Sequence, residues 1–210
     1  MYKVVIFDVD GTLIDTERSI IMGLHQMLKE ETSKEFKEEY LDFVLGIPGK
    51  ESIKEFNLDD PVLCLQKWKD NMAELRHFNE VYDGIITTLA KLKEKQVKTG
   101  IVTSRTLQEC LTDPILNRLK SYFDHVVCAD DTQLHKPNGE PLLRFLEDMG
   151  VDASEAVYIG DTLYDSQCAQ NANVPYFWAG WGTKEDIDKI ELNVLMHPYE
   201  IFELMFCHKK

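Results

Sequence analysis

The chain opens on Lys3 to Phe7, a short apolar run of strand type that ends directly on the polar turn Asp8-Val9-Asp10-Gly11-Thr12. From Glu17 to Glu30 the spacing becomes helical, with Ile20, Leu24 and Met27 or Leu28 on one face. Glu30 to Glu39 is a charge run that reads as a solvated helix face. Phe36, Tyr40, Phe43 and Val44 predict a further helical stripe, ended by the turn Gly46-Ile47-Pro48-Gly49, and Lys50 to Phe56 a short helix. Asp59-Asp60-Pro61 is a helix start, because an acidic cap and a proline at the first position both suit exposed N–H groups. Leu65, Trp68, Met72 and Leu75 follow as that helix's core face.

Beyond Tyr82 helices and strands alternate. Ile85, Leu89 and Leu92 mark a helix and Thr99 to Thr103 a buried strand; two short helical pieces flank Asp113-Pro114. His125 to Ala129 is the next strand, and Pro141 to Met149 a helix that Gly150 closes. Ala156 to Ile159 is a strand, Ser166 to Asn171 a helix, and Pro175 to Trp178 another strand. Asn193 to Met196 carries a weak strand signal and Pro198 to Phe206 a last helix. This alternation predicts an α/β fold, a Rossmann-like parallel sheet whose ligand crevice lies at the strands' carboxyl ends. The strand-free stretch before it reads as a helical insertion. The expected domains are thus 1–15 with 81–210 as the core and 16–80 as the insertion.

Composition narrows the function. The 210 residues carry 23 basic and 37 acidic side chains, a net charge of −14, and neither the insertion nor the remainder is basic. Nucleic acid and anionic membrane are therefore excluded as partners, and a small anionic substrate needs a local positive site. No apolar run is long enough to span a bilayer, and the N-terminus enters a strand without a signal-peptide pattern. Cys64, Cys110, Cys128, Cys168 and Cys207 are scattered and odd in number, which fits reduced thiols in a cytoplasmic protein. The six histidines show no metal-ligand spacing.

The chemistry-bearing stretch is the first strand and its turn. Alternation puts Asp8 and Asp10 on one side of the extended backbone, and two carboxylates at the end of a buried strand need compensation. A divalent cation such as Mg²⁺ supplies it; the plainer alternative is a capped turn of two surface aspartates. Gly11 allows the sharp turn, and Thr12 is expected to hydrogen-bond within it.

Asp8-Val9-Asp10-Gly11-Thr12-Leu13 resembles the first motif of the haloacid dehalogenase superfamily. Thr103-Ser104, Lys136-Pro137 and Gly160-Asp161 with Asp165 resemble its later motifs, in order and each after a strand, so that the likeness spans nearly the whole chain. The resemblance implies a Mg²⁺-dependent phosphatase of small phosphorylated metabolites, closest to the phosphoglycolate phosphatase type, as a monomer or weak homodimer. The 16–80 insertion stands where that family has its helical C1-type cap. Carried over, Asp8 is the nucleophile, and Asp10 the acid and base whose backbone carbonyl ligates Mg²⁺. Thr103 and Ser104 hold the phosphoryl group, although a Thr-Ser pair after a strand also reads as an N-cap. Lys136 neutralises nucleophile and phosphoryl group, Asp161 joins Asp8 as a Mg²⁺ ligand, and Asp165 orients Lys136 or caps the next helix. Where relatives continue Lys-Pro-x-Pro, Asn138-Gly139 stands here.

Residue 10 separates branches, since the dehalogenases carry Tyr there and the phosphonate-cleaving enzymes Ala. Lys50, beside the position where β-phosphoglucomutase-type enzymes carry an arginine, is expected to reach the far end of the substrate; a solvated surface lysine is the alternative. A sugar phosphomutase is the runner-up, and a catalytically inactive binding protein on the same scaffold a third reading. Arg105 reads as a surface cation, His135 as a loop residue and Trp181 as packing near the site.

Overall fold

The computed structural model describes residues 2–45, 49–184, 186 and 193–206. Of the turn expected from Gly46 to Gly49, residues 46–48 lie outside the described residues, as do Cys207 and His208. The chain divides into two compact units, one formed by Met1–Ile14 and Val81–Lys210, the other by Asp15–Glu80.

In the first unit a six-stranded parallel sheet has the order β5-β4-β1-β6-β7-β8. Its strands are β1 (Val4–Phe7), β4 (Lys98–Val102), β5 (His125–Val127), β6 (Ala156–Gly160), β7 (Tyr176–Ala179) and β8 (Val194–Leu195). The short strands β2 (Ile14–Asp15) and β3 (Glu80–Val81) pair with each other, at the two places where the chain passes between units. There the Tyr82 N–H donates to the Leu13 carbonyl at 3.1 Å.

β1 occupies the middle of the sheet because all four of its residues are apolar and can be buried on both faces. Val5 and Phe7 face a core with α4 (Ile85–Glu94), α6 (Pro114–Leu119) and α9 (Glu200–Phe206). Val4 and Ile6 face the other core, with α7 (Glu140–Met149) and α8 (Leu163–Asn171). The chain runs from β1 to β4 and β5 on one side, then returns to β6 on the other. The strand order thus reverses at β1 and β6, which opens a crevice at their carboxyl ends.

The inserted unit has a core of its own. α1 (Glu17–Thr32) packs on α3 (Pro61–Glu74) through Leu24, Met27, Leu28, Cys64 and Trp68. Trp68 Nε1 donates to the Ile20 carbonyl at 2.9 Å, tying the two helices at their polar atoms. α3 starts as its sequence predicts, with Asp60 accepting from the Leu63 N–H and Pro61 at the first position.

The inserted unit and α8 depart from expectation. The stripe from Phe36 to Val44 is not an α-helix: Ser33, at φ 54°, ends α1, and two 3-10 turns, Glu38–Tyr40 and Asp42–Val44, follow. Tyr40 and Phe43 are exposed, so only Leu41 and Val44 of that stretch supply buried anchors. α8 starts at Leu163 rather than Ser166, because Thr162 caps it. The four described cysteines are free thiols, as expected, yet Cys110 and Cys128 lie with sulfurs 3.7 Å apart, a proximity invisible in their spacing.

β4 passes close beneath the Phe145 ring of α7. A Cβ at Gly100 would lie 2.1 Å from the Phe145 ring of α7, so the helix seats on the sheet only over a glycine. Gly100→Ala should therefore destabilise the protein by about 1–3 kcal/mol through overpacking, read as a lower urea midpoint with unchanged slope.

Candidate active site

Six expected site residues meet at the carboxyl ends of β1, β4 and β6, where the sheet leaves them no choice of side. Asp8 follows β1, its N–H donating to the Ile159 carbonyl of β6 at 2.9 Å. Asp161 follows β6 directly, and Asp165 lies one helical turn further on. One carboxylate oxygen from each of these three buried aspartates falls within 4.8 Å of the others, a cluster able to hold a metal ion. Gly11, at φ 77°, turns the chain beneath this cluster, and a Cβ there would lie 2.0 Å from Asp161 Oδ2.

Lys136 is the cation of the cluster, 8% exposed. Its Nζ donates to Asp8 Oδ1 at 2.7 Å and to Asp165 Oδ1 at 2.6 Å. The peptide bond from Lys136 to Pro137 is cis. Burial works against the lysine's charge, but Asp165 and Asp8 outweigh it and hold its pKa above the usual value.

The cluster's oxygens divide into two kinds. Asp165 spends both of its own on protein donors: Oδ1 on Lys136 and the Tyr158 hydroxyl, Oδ2 on the Thr162 N–H and hydroxyl. Asp8 gives Oδ1 to Lys136, and Asp161 gives Oδ1 to the Thr12 hydroxyl at 2.8 Å. Oδ2 of Asp8 and Oδ2 of Asp161 have no protein donor among the described residues, so these two are the oxygens fitted to a hard cation. Burial pushes the Asp8 carboxyl from the usual 3.8 up to about 7, against the pull of Lys136. Burial, reinforced by Asp165 and Asp8, also raises Asp161 well above the ordinary carboxylate range. The protein alone thus supplies too little positive charge to ionise the set comfortably, which is the situation a divalent ion relieves.

Two side chains correct the reading of this cluster. Thr12 does not spend its hydroxyl within the turn but reaches across to Asp161. Asp165 is the third residue of α8 rather than its cap; Thr162 caps, and Asp165 closes the capping box while holding Lys136.

At the end of β4, Thr103 is buried and spends its N–H on the Val127 carbonyl at 3.0 Å. Its hydroxyl oxygen accepts the Arg105 N–H at 3.2 Å, while Thr106, with Glu109, caps α5 (Leu107–Thr112). The N-cap alternative for Thr103 therefore falls to Thr106. Ser104 is exposed, and its N–H has no acceptor among the described residues.

Arg105 is not the expected surface cation. Its Nε and Nη2 donate to Asp10 Oδ2 and Oδ1 at 2.8 and 2.6 Å, and Nη1 donates to Asp113 Oδ2 at 2.7 Å. Only 14% of the side chain is exposed. Burial opposes the guanidinium's charge, but Asp10 and Asp113 raise its pKa further. Sequence reasoning also passed over Tyr158, whose buried hydroxyl donates to Asp165 Oδ1 at 2.7 Å. A tyrosine inside an apolar strand is the only trace it leaves. His135 is an exposed loop residue, and Trp181 Nε1 donates to the Thr12 carbonyl at 2.9 Å, beside the site as expected. In the second unit Lys50 is exposed on α2 (Gly49–Ser52).

The raised Asp8 pKa fixes a sign for stability. A carboxyl that binds its proton more tightly when folded contributes stability that is full below its unfolded pKa and is lost as pH rises through the folded one. In chelator-treated protein the melting temperature should therefore fall as pH climbs through the window from 3.8 to about 7. A divalent cation should restore it more at the upper end than at the lower, since its ligands must be deprotonated. Asp8→Asn should flatten that fall, and parallel wild-type and variant profiles would refute the assignment.

Comparison with known proteins agrees with this geometry. The family model for haloacid dehalogenase-like hydrolases matches residues 5–179. A pyrophosphatase PpaX of Bacillus pumilus is 32% identical over 86% of this chain and 84% of its own length. A phosphoglycolate phosphatase of Aquifex aeolicus is 30% identical over 98% of both chains. Among solved structures, a Lactobacillus plantarum protein provisionally named phosphoglycolate phosphatase superposes with a TM-score of 0.89 at 27% identity, over 97% of this chain and 99% of its own. The β-phosphoglucomutase fold is also near, at a TM-score of 0.77 and 22% identity for the Thermotoga maritima protein so assigned, over 98% of each chain. With a parallel sheet of this order and a model that matches most of its length, the chain belongs to the haloacid dehalogenase-like hydrolases, as an enzyme.

Proposed function

We propose that the protein is a Mg²⁺-dependent phosphatase of small phosphorylated metabolites that works through an aspartyl phosphate on Asp8. The observation that carries this reading is the buried Lys136 ammonium shared by Asp8 and Asp165, beside an Asp161 that keeps one oxygen for a cation. Asp8 Oδ2 and Asp161 Oδ2 would hold the ion, with the Asp10 carbonyl as a further donor. When bound, it supplies positive charge to the phosphoryl oxygens.

Asp8 attacks phosphorus in line, and the leaving oxygen departs as an ester alkoxide that needs a proton. Asp10 provides that proton and later takes one from the water that hydrolyses the acyl phosphate. Lys136 matches the charge that spreads over the equatorial oxygens, and Asp165 with Tyr158 keeps its ammonium in place. Thr103 accepts a backbone N–H and retains its own hydroxyl proton as a donor to the phosphoryl group; the Ser104 N–H is a second donor.

The Asp15–Glu80 unit we read as a C1-type cap that excludes water when substrate is bound. Its relatives' names favour phosphoglycolate, pyrophosphate or a related small phosphate. A carboxylate or second phosphate at the far end of such a substrate suits Lys50, which is exposed on α2. We place the enzyme in the cytoplasm; among the described residues no helix is long and apolar enough to cross a membrane.

Three experiments test the reading. Phosphate release from a metabolite panel, including phosphoglycolate, pyrophosphate and an aryl phosphate, should require Mg²⁺ and stop with chelator. Asp8→Asn should cut kcat by about 10³-fold or more with the fold retained, and loss of less than about tenfold would exclude a covalent Asp8 mechanism. Lys50→Ala should raise KM by roughly tenfold for the preferred substrate with a second anionic group and leave an aryl phosphate, which has none, almost unaffected. Equal effects on both substrates, or none on either, would return Lys50 to the solvated surface.

A further inference from the structure

We infer that Arg105 is the positioning residue of the acid and base Asp10, and that Asp113 anchors it. The inference rests on the reading of Asp10 given above and adds to it the device that holds its carboxylate in one orientation.

The geometry is specific. Parallel pairing of β1 with β4 brings the residues beyond the two strands side by side, so Arg105 reaches Asp10 from the next strand. The guanidinium offers Nε and Nη2 as a planar fork, and each Asp10 oxygen receives one bond, at 2.8 and 2.6 Å. A fork on both oxygens fixes the carboxylate's rotation as well as its place, which a single contact would not. The fork takes two of the roughly four acceptor sites that a carboxylate has. One third of the Asp10 side chain is also exposed, against 14% of Arg105 and 1% of Asp113.

The fork is itself immobilised. Arg105 Nη1 donates to Asp113 Oδ2 at 2.7 Å, while Asp113 Oδ1 accepts the Ile115 and Leu116 N–H groups at 2.7 and 3.0 Å. Asp113 is the N-cap of α6, so the chain Asp10, Arg105, Asp113 ends on rigid helix backbone. Nothing in the capping of α6 requires the arginine, and nothing in the turn after β4 requires its side chain to point at Asp10. Proton transfer needs donor and acceptor within about 3 Å, and a misplacement of about 1 Å is costly to rate. Lysine in its place would keep the charge and lose the fork.

The test uses leaving groups. Phenyl phosphate needs a proton on its departing oxygen, whereas 2,4-dinitrophenyl phosphate does not, and both fit a generic site. The quantity compared is kcat/KM with Mg²⁺, which ends at the first irreversible step, formation of the aspartyl phosphate, so hydrolysis of that intermediate does not enter.

Asp10→Asn is the control and should lose about 10²-fold or more on phenyl phosphate relative to the dinitrophenyl ester. Arg105→Lys should lose about tenfold or more on phenyl phosphate and about twofold or less on the dinitrophenyl ester. The double variant Arg105→Gln with Asp113→Asn removes the cation and its buried anion together and keeps a capping residue on α6, so the fold is not left with an unpaired buried charge. It should show the same selective loss. If the control is selective and both Arg105 variants lose equally on the two esters, or lose on neither, the positioning role is overturned. If Asp10→Asn itself is not selective, Asp10 is not the acid and the inference falls with that reading.

Discussion

The repulsion among buried carboxylates governs the arrangement of this protein's crevice. Parallel pairing of β1 with β6 brings Asp8 and Asp161 to the same end of neighbouring strands, and the first turn of α8 adds Asp165. Among the described residues one buried cation, Lys136, meets this triad, and it bonds two of the three. Thr12, Tyr158 and Thr162 are consequences of that imbalance. Each donates to a buried carboxylate oxygen of the triad, and Thr12 and Thr162 reach oxygens that Lys136 does not. The unmet remainder appears as the raised pKa values of Asp8 and Asp161.

A second anionic set stands beside the first and is solved differently. Asp10 and Asp113 share the Arg105 guanidinium, whose charge cannot be given up at any ordinary pH. Lys136 offers a point charge that can shift between neighbours; Arg105 offers a rigid fork. The two cations thus match two different needs, neutralisation at Asp8 and orientation at Asp10. In a chain of net charge −14 both are local exceptions to the overall field.

Much of this was legible in the residue order. The central strand, the alternation beyond Tyr82 and the strand-end position of Asp8, Thr103 and Asp161 follow from patterns of period two and 3.6 that burial enforces. Lys136 was legible as a motif residue in the family's order, while its two carboxylate partners had to be seen. What stayed hidden is what depends on a neighbouring strand's register. Arg105 reads as exposed because nothing within a few residues pairs with it, and its partner Asp10 is 95 positions away. Tyr158 is hidden for the same reason, as an aromatic in an apolar strand usually signals only core. The stripe from Phe36 to Val44 misled in the opposite sense: its spacing is helical, but Ser33 breaks the helix and half of the apolar side chains stay in water.

One small hydrogen bond has a large corollary. The Tyr82 N–H meets the Leu13 carbonyl at 3.1 Å, so the chain rejoins the sheet-bearing unit almost at the atom where it left. For that unit, everything between is a closed loop of negligible span. Loop closure costs only about 0.6 kcal/mol more for each doubling of length. A segment of another size, or another fold, can therefore be spliced at this point without changing the register of any strand that carries an aspartate. The aspartate-bearing strands and the inserted unit are thus separately exchangeable pieces of chain, and a lineage can vary the second while the first keeps its places.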